Sequence, residues 1–66
     1  MSYRVFMENV LGDLGEFGVN SRIIFEKNGG NYTATTEGFL FTGSQWSENY
    51  FMTDMRTGEV TKIEAI

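Results

Sequence analysis

The sequence predicts an α+β fold, an N-terminal amphipathic helix packed on a three- to four-stranded antiparallel sheet. Three observations carry that prediction. Apolar residues recur at helical spacing from Tyr3 to Phe17. A glycine pair, Gly29-Gly30, separates two runs of β-branched and aromatic residues, and a second turn signal, Arg56-Thr57-Gly58, divides the carboxyl-terminal third. A small five-stranded β-barrel, with residues 3–10 as a strand, is the competing architecture. The helical period decides against it. All 66 residues are expected to form one small domain, 1–66.

In the helix, Tyr3, Phe6, Met7, Val10, Leu11, Leu14 and Phe17 fall within roughly 140° of arc at 100° per residue, and Val5 alone is misplaced. Arg4, Glu8, Asn9, Asp13 and Glu16 take the other side, and Ser2 is the N-cap candidate. Gly12, Gly15 and Gly18 each cost about 0.8–1 kcal/mol relative to Ala inside a helix. The helix is therefore expected from Tyr3 to Leu11, fraying into a loop before the first strand. The stripe is read as the face laid on the sheet, while its spacing at 3, 7, 10, 14 and 17 also fits a dimerisation seam.

The first hairpin spans Arg22 to Glu37. A two-residue Gly29-Gly30 loop, both glycines supplying positive φ, sets Lys27 opposite Tyr32, Phe25 opposite Ala34, Ile23 opposite Thr36 and Arg22 opposite Glu37. Ile23 and Phe25 then share one face. Gly38 reads as a bulge or bend in one long kinked strand from Tyr32 to Thr42, followed by a loop, Gly43-Ser44-Gln45-Trp46-Ser47. A tryptophan on a loop is either tucked beneath it or offered to a partner. The last hairpin, with a three-residue loop at Arg56-Thr57-Gly58, is expected to set Met55 opposite Glu59, Thr53 opposite Thr61 and Phe51 opposite Ile63. Met52 then faces Lys62 and Tyr50 faces Glu64 on the other side, so Phe51 and Ile63 mark the core.

Composition narrows the chemistry. With no Cys and no His, disulfides, ordinary zinc sites and the serine, cysteine and most metal-hydrolase mechanisms fall away together. No enzyme activity, catalytic residue, cofactor or metal is expected. Gly12-Asp13-Leu14-Gly15-Glu16-Phe17-Gly18 is spaced GxxGxxG, follows no strand, and carries two acids that repel phosphate. Asp54-x-Arg56-x-Gly58-Glu59 puts an arginine at a calcium-ligand position and reads as a hairpin turn. Asn31-Tyr32-Thr33 matches a glycosylation acceptor, but the amino end lacks a signal-peptide layout and the match is read as chance. The longest apolar runs are three residues, so no membrane partner and a cytoplasmic location are expected.

Nine acids against five bases give a net charge of −4, distributed as −2 over residues 1–20, +1 over 21–36 and −3 over 37–66. That balance disfavours phosphate backbones. The reading it favours is a small acidic protein-binding module, of the size seen in phage or mobile-element products, that adapts or inhibits a larger protein. Trp46, Glu48 and Tyr50 form the expected partner-binding surface, an aromatic anchor ringed by polar residues. Imitation of DNA is disfavoured because the acids are scattered. Two alternatives remain: a single-stranded nucleic-acid-binding β domain stacking bases on Tyr32, Phe39, Phe41, Trp46, Tyr50 and Phe51, and a homodimeric structural protein.

Overall fold

In the computed structural model, which describes residues 1–16 and 22–66, one helix lies on a five-stranded antiparallel sheet. The elements run α1 (Tyr3–Glu16), β1 (Ile24–Asn28), β2 (Asn31–Thr36), β3 (Phe39–Ser44), β4 (Asn49–Asp54) and β5 (Val60–Glu64). Each strand pairs with the next in a meander of order β1-β2-β3-β4-β5. β1 and β5 stay at the two edges, so the sheet is open and the barrel alternative is set aside.

Ser2 starts the helix as its composition requires. Its Oγ accepts a hydrogen bond from the Val5 N–H at 3.2 Å and its carbonyl accepts the Phe6 N–H at 3.0 Å. The helix runs to Glu16 rather than stopping near Leu11. Gly12 and Gly15 face open space, while Leu14 is buried and the Tyr50 hydroxyl donates to the Asp13 carboxylate, two tertiary contacts that offset the glycine cost. Phe17 and Gly18 lie outside the described residues.

Phe6, Val10 and Leu14, at four-residue intervals, press into the sheet on Tyr32, Ala34, Phe41 and Tyr50. Phe6 is the hub: its ring meets Tyr50 edge-on at 5.8 Å, Phe25 edge-on at 6.5 Å and Tyr32 at 5.5 Å. It can sit that low because Gly43 carries no side chain. A Cβ on Gly43 would stand 2.8 Å from Phe6 Cδ1 and 3.4 Å from Tyr50 Cβ. Phe6, Val10 and Leu14 of the helix stripe are thereby covered by the sheet, while Leu11 stays exposed at its margin.

The first hairpin has the expected register, with Phe25 opposite Ala34 and Lys27 opposite Tyr32. Its two glycines serve different purposes. Gly29 has φ +62°, the left-handed value a tight turn needs, whereas Gly30 does not, and the Trp46 indole lies against it. What reads as one kinked strand from Tyr32 to Thr42 is a second hairpin. Glu37 (φ 41°) and Gly38 (φ 83°) both adopt left-handed backbone, the pattern of a type I′ turn, and Thr36 pairs with Phe39. Glu37 is therefore a turn residue and does not face Arg22 across a ladder. Gly43 and Ser44 belong to β3 rather than to the loop. These changes give five strands in place of three or four.

The last hairpin is one residue out of the expected register. Tyr50 pairs with Ile63, Phe51 with Lys62, Met52 with Thr61 and Thr53 with Val60. Its loop closes through Asp54 N–H to Glu59 O at 2.8 Å and Gly58 N–H to Asp54 O at 2.7 Å, and the Asp54 carboxylate accepts the Arg56 N–H at 2.9 Å. Gly58, at φ 79°, supplies the left-handed position. A slip of one residue turns β4 over relative to the expectation: Tyr50 goes inward and Phe51 outward.

Candidate functional site

The residues expected to form a contact surface separate in the structure. Trp46 and Glu48 lie in the four residues that join β3 to β4, and both are exposed, Trp46 to 72%. Tyr50 is 1% exposed beneath the helix and cannot reach a partner. Its inward turn follows from the pairing of Phe41 with Met52, which fixes the even-numbered residues of β4 on the core side. Phe51, the next residue, points to the uncovered side at 39% exposure and is the aromatic that the sequence reading placed in the core.

Backbone bonds hold the Trp46 loop from several directions. Gln45 N–H donates to Gly30 O at 2.8 Å, joining the loop to the first hairpin turn, and Ala65 N–H donates to Glu48 O at 3.3 Å. The Ser47 hydroxyl donates to Asn49 O at 3.0 Å and accepts the Asn49 N–H at 3.1 Å. On the helix side the Met1 amino group donates to the carbonyls of Ser44 (3.2 Å), Gln45 and Ser47. One face of the indole rests on the Gly30 backbone. The rest is in water, a large apolar ring held out on a fixed mount.

Three of the rings that could have stacked bases, Tyr32, Phe41 and Tyr50, are buried under α1 and present no face to a ligand. Shallow hollows mark the surface of the described residues. One, of about 300 Å³, lies where the Asn9 side chain brackets the backbone of Ile66, accepting its N–H at 2.7 Å and donating to its carbonyl at 3.5 Å; Glu8 and Asp13 stand beside it. Another, of about 200 Å³, lies between Thr42 and Phe51 at the foot of the Trp46 loop. Among the described residues no three carboxylates converge to hold a metal ion, and no helix is long and apolar enough to cross a membrane. The Asp54 carboxyl is shifted. The Arg56 N–H, and then the Arg56 guanidinium, hold its carboxyl below the ordinary value of 3.8. That bond closes a turn.

The uncovered side of the sheet reads off in rows. Ile24, Thr35, Leu40, Thr53 and Val60 stand side by side across the five strands, and next to them Glu26, Thr33, Thr42, Phe51 and Lys62. Ile24 and Val60 are more than half exposed. No protein-family model, curated protein or solved structure matches this chain.

Proposed function

We propose that this chain is a protein-binding module that docks on a larger protein, and so adapts or inhibits it, through the loop carrying Trp46 and Glu48. The observation that carries this reading is the indole itself, 72% exposed on a loop whose backbone is tied to the first turn, the last strand and the start of the helix. A rigid aromatic anchor loses little conformational freedom on binding, which is why such residues dominate interface energies. Net charge −4, with Glu48 beside the anchor, suits a partner whose rim is basic.

Affinity capture with wild-type and Trp46→Ala baits tests it. The wild-type bait retains a partner that the variant loses, by about 30-fold or more if the indole is worth the ~2 kcal/mol of an interface hot spot, while the far-UV circular dichroism of the two proteins superimposes. Equal recovery by both baits would refute the reading. An unfolded variant would show that the indole is a structural prop, and a Trp46→Phe bait then separates anchoring from folding by retaining the fold with reduced capture.

A further inference from the structure

We propose that the uncovered face of the sheet is self-complementary and packs on a second copy of this chain, forming a two-sheet sandwich with a helix on each outer side. The pattern of the two rows carries the inference. A two-fold axis along the central strand β3, lying midway between the sheets, places each strand over its counterpart counted from the opposite edge. Ile24 then lies over Val60 of the second copy, Leu40 over Leu40 and Thr35 over Thr53, apolar on apolar and hydroxyl on hydroxyl. In the adjacent row Glu26 lies over Lys62, and Lys62 over Glu26.

Charge chooses the occupant. Glu26 and Lys62 are exposed and are the two charged side chains of that row, one at each edge strand, and neither has an ion-pair partner among the described residues. A row with opposite charges at its two edges, and two threonines and Phe51 between them, lays each charge over its opposite in its own two-fold image. A generic partner would have no reason to require that arrangement. Sheets stacked about 10 Å apart, with strands crossing near −30°, accommodate the twist of each. Five strands spaced ~4.8 Å apart and ~17 Å long offer roughly 400 Å² in projection per copy, about half of a standard interface, so association belongs to the weak, transient end of specific interfaces. The same axis brings both Trp46 loops to one end of the sandwich, which makes the pair bivalent toward a partner.

Sedimentation equilibrium of the purified protein from about 5 µM to about 1 mM tests this without any partner present, so its result is independent of the capture experiment. The expected mass rises from 7.5 kDa toward twice that value. Glu26→Lys and Lys62→Glu each act at both ends of the interface and are expected to weaken dimerisation about tenfold, by replacing two attractions with two repulsions. The double variant E26K/K62E restores both pairs with their signs exchanged and is expected to return to within about threefold of wild type. Both positions are exposed, so folding is unaffected. A single 7.5 kDa species at the highest concentration overturns the proposal. So does a double variant no tighter than the single ones, which would assign the face to a different protein.

Discussion

Replacing Gly30 with Ala isolates the contact that fixes Trp46. Gly30 does not have the positive φ of a turn glycine, so its backbone tolerates a side chain; the neighbour does not. An added Cβ would stand 2.8 Å from Cζ2 and Cζ3 of the indole and closer still to Cη2, inside the separation that carbon atoms accept. The ring is the movable partner, because Trp46 is largely in water. It swings away and loses the quarter or so of its surface now covered. For a side chain of ~250 Å² that is about 70 Å², or ~1.7 kcal/mol at ~25 cal/mol per Å². The narrower unfolded ensemble of Ala returns about 0.4–1 kcal/mol, leaving a net loss near 1 kcal/mol. The sequence holds one tryptophan, so its fluorescence reports this site alone. Emission should shift to the red and near-UV dichroism should flatten, while the denaturant midpoint falls modestly. On a Trp46→Ala background the same glycine substitution should cost nothing. Unchanged emission from Gly30→Ala, or an undiminished cost on that background, would refute the packing of indole on glycine.

Gly43→Ala meets an immovable neighbour instead. Phe6 is fully buried among Phe25, Tyr32 and Tyr50, so the added methyl should cost about 1–3 kcal/mol or more, read as a lower thermal midpoint with helix and sheet melting together. Thr36→Val should go the other way. The Thr36 hydroxyl is buried with no hydrogen-bond partner among the described residues, and exchanging it for a methyl should stabilise by about 1 kcal/mol in urea titration. Asp54 has its folded pKa lowered, so the unfolded chain binds the extra proton, and stability from this group is present above the ordinary value of 3.8 and lost as pH falls through the lowered one. Asp54→Asn should lower stability modestly at pH values above 3.8 and leave it nearly unchanged at the foot of the acid limb, so that the stability–pH curve is flatter between them.

What short-range pattern controls, the sequence alone determined: the helical period of Tyr3 to Leu14, the serine cap, and the glycine turn that sets Phe25 against Ala34. Turn chemistry was less explicit at Glu37-Gly38, since glutamate seldom takes left-handed backbone and the pair resembles an interruption in a strand. An Xaa-Gly pair between two strand-like runs was the available signal. The sequence marked Trp46 as one unusual residue in a loop without deciding whether it is tucked or exposed, and nothing in it marked Tyr50 as buried. Whether Tyr50 or Phe51 turns inward depends on the parity of β4 against β3. That parity is set by how many residues the Trp46 loop spends between the strands and by the ring of Phe6 waiting over Gly43. Both aromatic residues have the same preference for a pleated surface. Tertiary contact from a helix some forty residues away in sequence decided between them, because only there do the Asp13 carboxylate and the Phe6 ring meet one side of the strand and not the other.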